Sequence, residues 1–138
     1  MNGKETGINN MASKFLIDTD VLIDYLKDRD EAVHFLESQQ VSMLISAITV
    51  GELYAGVRDG KERLLLDNFI EYFQIVPLNH ALAVKGGLFR RDFKKSHGVG
   101  LAYAMIAATA ESENATLVTL NQKHFPMISD IVIPYRKN

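Results

Sequence analysis

Apolar residues along this chain fall into short runs separated by stretches with helical spacing. Lys14 to Ile17, Met43-Leu44-Ile45, Gln74-Ile75-Val76, Thr116 to Thr119 and Asp130 to Ile133 are the short runs. Their length and β-branched content suit strands buried on both faces. Between them the pattern predicts helices. The first spans roughly Thr19 to Lys27, with Thr19 or Asp18 as its cap, and the second is capped by Asp30, with Val33, Phe35 and Leu36 turned inward. The third is opened by Ser46 or Thr49, carries Glu52, Leu53, Tyr54 and Val57, and stops at Asp59-Gly60. Leu64, Leu65, Phe69 and Phe73 recur at helical spacing in a fourth. Asn79 caps a long helix through Leu82, Leu88 and Phe93, and Gly98 and Gly100 mark a turn. The Ala-rich stretch Leu101 to Glu113 is strongly helical by propensity.

Strands alternating with helices predict a parallel sheet covered on both sides, joined by right-handed crossovers. Such folds place their sites at the carboxyl edge of the sheet. The helices between Ile45 and Gln74 exceed what one crossover needs, so a projecting helical pair is expected there.

With 138 residues and 47% apolar content, one domain with one real core is expected, over residues 14–138, preceded by a polar, flexible tail over 1–13. Cysteine is absent, which removes disulfides and thiolate metal sites and suits a cytoplasmic location. The formal charge of -2 argues against nucleic-acid binding by bulk charge, while leaving room for a local basic patch. No apolar run is long enough for a membrane span, and none is expected.

The informative chemistry is at strand ends. Asp18 closes the first strand, Glu52 lies on the first turns of the helix after the second, and Asn121 follows the fourth. In a parallel sheet these converge on one edge. Hard oxygen ligands without histidine or cysteine favour Mg²⁺ or Mn²⁺ over zinc, and such ions suit phosphodiester hydrolysis. Simpler roles compete. Asp18 also works as a helix cap, Glu52 as the capping-box partner of Thr49, and Asn121 as a turn residue. Asp20 and Asp24 read as polar residues on a helix face, with Asp20 placed to steady Asp18 or a water. Thr119 is either a half-buried strand threonine or a hydroxyl that orients a neighbour. Arg90, Arg91, Lys94 and Lys95 form either a solvated helix end or a set of phosphate contacts for RNA. Tyr54, Tyr72 and Phe73 are candidates for an exposed association surface.

Four segments together resemble the PIN-domain family, and within it the VapC-type toxin ribonucleases. Phe15-Leu16-Ile17-Asp18-Thr19-Asp20-Val21-Leu22-Ile23 is similar to the first family motif, and Ser46-Ala47-Ile48-Thr49-Val50-Gly51-Glu52-Leu53 to the second. Gly100 to Ala110 resembles the third, and Leu117-Val118-Thr119-Leu120-Asn121-Gln122-Lys123-His124-Phe125 the fourth. The resemblance covers about Lys14 to Ile133. It implies a three-layer α/β/α fold with a central parallel sheet of four to five strands. It also implies an Mg²⁺- or Mn²⁺-dependent endoribonuclease, a homodimer, and a cognate antitoxin whose peptide fills a groove and blocks the site. Asp18, Glu52 and Asn121 fall on the family's site positions.

One position departs from the pattern. Tyr103 stands where the family carries a metal-binding aspartate. A phenol is neutral at pH 7 and a poor ligand for a hard cation. Asp92, on another helix, and Glu111, two turns along the same one, are poorly placed to replace it. Metal binding and cleavage are therefore expected to be weak or absent. Two origins fit: an inactivating substitution, since one base change converts an Asp codon to Tyr, or a naturally degenerate domain that binds RNA or antitoxin without cutting. A second resemblance, of Asp18-Thr19-Asp20-Val21, Ser46 and Lys85 to haloacid-dehalogenase-type phosphatases, lacks the acidic pair expected after the fourth strand.

Overall fold

The computed structural model describes residues 14–137. The tail expected over 1–13 lies outside the described residues. Five strands form one sheet: β1 (Lys14–Ile17), β2 (Ser42–Ser46), β3 (Gln74–Val76), β4 (Thr116–Val118) and β5 (Ile131–Val132). Among the described residues, six α-helices and a single 3-10 turn at Gln122–His124, between β4 and β5, connect them. The helices are α1 (Thr19–Leu26), α2 (Asp30–Glu37), α3 (Ala47–Ala55), α4 (Lys61–Ile70), α5 (His80–His97) and α6 (Leu101–Ser112). All strand pairs are parallel, in the order β3-β2-β1-β4-β5.

Adjacent strand residues point to opposite faces, and this period divides the core in two. Leu16, Leu44 and Leu117 pack with Leu82, Ile106, Ala107 and Ala110, from α5 and α6. Their neighbours Ile17, Ile45 and Val118 pack on the other face with Val21, Leu22, Leu36, Leu53, Leu66 and Phe69, from α1 to α4. The result is the expected α/β/α sandwich.

The surplus pair α3 and α4 is present. It buries Leu53, Leu66, Phe69 and Ile70, while Leu64 and Leu65 face solvent. Helices α5 and α6 are tightly packed at Gly86, where a Cβ would sit 2.4 Å from Met105 Sδ and 3.1 Å from its Cα. Gly98, at φ 62°, ends α5 in the left-handed conformation that glycine adopts without a steric penalty.

Local chemistry sets the helix starts. Asn79 accepts a hydrogen bond from the Leu82 amide at 2.9 Å, as expected of a cap. Ser46, rather than Thr49, caps α3 by accepting from the Ile48 amide at 3.1 Å. Asp30 is not the α2 cap. Arg29 occupies that position without a side-chain bond, and Asp30 and Glu31 contribute negative charge to the first turn. Phe73, expected on an association surface, is buried in the core, and Tyr54 is half-buried and donates to Asp67. Of the three aromatics proposed there, Tyr72 alone is well exposed.

Candidate active site at the carboxyl edge of the sheet

Strand order reverses at β1: β2 and β3 extend to one side, β4 and β5 to the other. A crevice at the carboxyl ends of β1 and β4 follows from that reversal, because the outgoing connections diverge there. Asp18 and Thr119 occupy this point. The Asp18 amide still donates to the Val118 carbonyl at 2.9 Å, so β1 and β4 remain paired up to the acid.

Asp18 is only 3% exposed. Its Oδ1 accepts from the Thr19 amide at 2.8 Å and its Oδ2 from the Thr119 hydroxyl at 2.7 Å. It therefore caps α1 and is also held from β4. Burial pushes its carboxyl up to about 7, and the Asp20 charge pushes the same way. The Thr119 and Thr19 bonds oppose the shift, and Glu52 adds to it.

Glu52 reaches the same rim through Thr19. The Thr19 hydroxyl lies 2.6 Å from Glu52 Oε1 and 3.1 Å from the Thr49 hydroxyl. A hydroxyl has one proton, so Thr19 donates to the carboxylate and Thr49 serves as donor in the second contact. With Ser46 as the cap, the capping-box reading of Glu52 falls away.

Asp20 does more than line a helix face. Its Oδ2 accepts from the Leu120 amide at 3.2 Å and from Asn121 Nδ2 at 2.8 Å, while Oδ1 has no partner among the described residues. Burial raises its carboxyl, against the pull of the Leu120, Val21 and Asn121 bonds and of Lys137. Asn121 is thus brought to the edge with its amide already engaged. Thr119 is the orienting hydroxyl: it donates to Asp18 and accepts from the Asn121 amide at 3.1 Å.

Tyr103, on the first turn of α6, faces these acids. Its ring stacks on His124 with centroids 4.3 Å apart and planes at 10°, and meets Phe125 edge-on at 5.5 Å. Burial raises the phenol above its usual value, as do the charges of Asp18, Asp20 and Glu52. Asp92 is ion-paired to Arg91 at 2.8 Å and Glu111 is paired to Lys85, so both carboxylates are already engaged. The Lys85–Glu111 pair also occupies the lysine that the phosphatase comparison requires.

The donors at this edge are hard oxygens, in keeping with Mg²⁺ or Mn²⁺. Among the described residues, however, no three Asp, Glu, His or Cys side chains are grouped to hold an ion. Tyr103, which faces these acids, is a half-buried phenol stacked on the His124 imidazole. The residues present do not complete a metal site.

The basic residues of α5 form a separate surface. Arg90, Arg91 and Lys94 line a shallow depression with Gly87 and Leu101, and Lys95 is exposed beside them. Arg91 is paired with Asp92, whereas Arg90 Nε is buried without a hydrogen-bond partner among the described residues.

Sequence reasoning missed Asp24 as a buried group. It is 7% exposed, accepts from the Tyr135 hydroxyl at 2.7 Å and from Lys137 Nζ at 2.9 Å, and has Arg29 at 4.0 Å. Burial pushes its carboxyl up, but the Lys137 and Tyr135 bonds and the two cations outweigh this and hold it below the usual carboxylate range.

A doubly wound sheet with acids gathered at its reversal point defines an α/β class whose chemistry sits on the strand ends. The sequence profile described as "PIN domain" matches residues 15–129. Ribonuclease VapC10 of Mycobacterium tuberculosis is 32% identical over 123 residues, covering 87% of this chain and 92% of that protein. A solved toxin-antitoxin complex from Klebsiella pneumoniae superposes with a TM-score of 0.77 at 30% identity, covering 88% of this chain and 98% of that one. VapBC2 from Rickettsia felis, solved bound to a DNA fragment from its promoter, gives a TM-score of 0.70 at 25% identity, covering 91% and 99%. The chain belongs to the PIN-domain family, in its VapC-type toxin–antitoxin ribonuclease branch. Among the described residues no helix is long and apolar enough to cross a membrane.

Proposed function

We propose that the chain is an endoribonuclease toxin scaffold whose divalent-metal-dependent cleavage of RNA phosphodiesters is weakened or lost because Tyr103 replaces an acid. One observation carries this reading: Asp18, Glu52 and Asn121, far apart in sequence, meet at the strand-order reversal with Thr19, Thr119 and Asp20 as connectors. In the intact arrangement Asp18 and Glu52, with a carboxylate at position 103, would hold Mg²⁺ or Mn²⁺. Asn121 completes the rim. Arg90, Arg91, Lys94 and Lys95 supply RNA phosphate contacts on α5. An apolar cavity of about 360 Å³ runs from Glu52 along Ile23, Leu26, Val57 and Leu65, and suits a segment of a cognate antitoxin. Exposed Val84, Leu88 and Leu101 on α5 and α6 support a homodimer. A cytoplasmic location, suggested by the cysteine-free composition, belongs to the same reading.

The test is RNA cleavage with Mg²⁺ or Mn²⁺, and with chelator, by the chain and by Tyr103→Asp. Little or no cleavage is expected from the first, and clear metal-dependent cleavage from the second. An inert Tyr103→Asp that still folds would refute the assignment of the third ligand.

The packing of Tyr103 between His124 and Phe125 supports a second reading, a non-catalytic module that binds RNA or antitoxin. Tight partner binding together with an inert Tyr103→Asp would favour it.

A further inference from the structure

The C-terminal segment does something the acid rim alone cannot. Beside the rim is a cavity of about 370 Å³, walled by Asp20 and Asn121 on one side and by Tyr135, Arg136 and Lys137 on the other. Tyr135 and Lys137 both turn inward to the same buried carboxylate, that of Asp24, and the Arg29 guanidinium lies 5.5 Å from the centre of the Tyr135 ring. These contacts pin the segment on both sides of Arg136. Arg136 itself is exposed and forms no ion pair among the described residues.

An arginine held on a fixed backbone next to a polar cavity is a ready anion contact. Its planar fork of donors matches phosphate oxygens, and little chain entropy is lost when it engages. Its position decides what kind of anion. Asp18, Asp20 and Glu52 together repel a polyanion, and the chain's net charge of -2 gives no general attraction. A strand whose reacting phosphate lies over Asp18 needs a cation close by to hold the neighbouring backbone. Arg136 meets that need from the Asp20–Asn121 side, on the cavity wall built by the C-terminal segment. The basic patch of α5 lines a different depression.

We infer that Arg136, presented by the Asp24-anchored C-terminal segment, forms a subsite for a backbone phosphate of single-stranded RNA adjoining the carboxylate edge. This rests on the ribonuclease reading above, and names where its substrate is held.

The experiment measures binding of a fluorescently labelled single-stranded RNA of mixed sequence to the full chain across a salt series. Arg136→Ala is expected to weaken binding about five- to tenfold at low salt, and to lower the slope of log affinity against log salt by about 0.7, irrespective of sequence. Arg136→Lys should recover much of the affinity, and Arg136→Glu should lose more than Ala. Thermal unfolding of each variant should match the parent, since Arg136 makes no described ion pair. Parent binding left unchanged by Arg136→Ala and Arg136→Glu overturns the subsite while leaving the ribonuclease reading intact. Failure of the parent to bind RNA at all overturns both. Cleavage by Tyr103→Asp with unaltered RNA binding by Arg136→Glu overturns the subsite alone.

Discussion

Asp18 and Asp24 are six residues apart, nearly equally buried, and shifted in opposite directions. Asp24 is met by a lysine, a tyrosine hydroxyl and a nearby arginine, and its charge is settled. Asp18 is met by one amide and one hydroxyl, and faces two further acids. A buried charge with a cation beside it serves as an anchor, while one held only by neutral donors among like charges is costly to the fold. The molecule therefore carries a structural carboxylate within one short helix and a strained one at its cap. Strain of this kind collects where a ligand or a reaction will relieve it.

The contrast can be sharpened most by Tyr103→Asp. Adding an acid opposite Asp18 and removing the His124 stack should destabilise the chain by about 2–4 kcal/mol in chelator. Mn²⁺ or Mg²⁺ should then raise its Tm in a concentration-dependent way, with a much smaller response from the parent. Equal responses would show that position 103 does not face the ion.

Next in size is Asp24→Ala. It removes hydrogen bonds to a charged acceptor and frees the C-terminal segment, at a cost of about 2 kcal/mol in urea unfolding. A cost near zero would show that Asp24 is no anchor.

The pH dependence separates the two acids. The Asp18 carboxyl rises from 3.8 to about 7 on folding, so the folded state holds the extra proton between those values. Stability from this group is greatest below pH 4 and falls as pH rises towards 7. The Asp24 carboxyl is lowered on folding, so its contribution is present above pH 4 and is lost as pH falls through the folded value. Asp18→Asn should flatten the loss between pH 4 and 7 and raise Tm at pH 8 by about 3–6 °C. A lower Tm for that variant at pH 8 would contradict the account. The smallest change is expected from Lys137→Met. Its side chain is 46% exposed, so solvent screens the pair and about 0.5 kcal/mol is lost.

The layered sheet was readable from the chain because adjacent apolar pairs such as Leu16-Ile17 feed both faces at once. That Asp18 and Glu52 share the carboxyl edge was readable because Asp18 directly follows β1 and Glu52 lies on the helix that leaves β2. The role of Asp24 was hidden, since its partners Tyr135 and Lys137 lie 111 and 113 residues away. The Thr19 bridge to Glu52 was hidden for the same reason, as no local pattern shows that two helices from different crossovers touch. Phe73 was misplaced because periodicity records spacing and cannot tell which side of a short turn faces the core. The competition between Thr49 and Ser46 for the α3 cap turned on backbone geometry that residue type leaves undetermined.

Directly after Tyr103, α6 runs through Ala104 to Ala110, each of them buried, so its course is dictated by what lies beneath it and owes little to the half-buried residue that precedes them. Position 103 is consequently a fitting on a mount whose path other residues fix. On the ribonuclease reading proposed above, a single codon there would disarm or rearm the molecule while the rest of its surface stays the same. A disarmed copy would then still compete with an armed one for every partner that recognises that surface, so gene dosage would become part of the control.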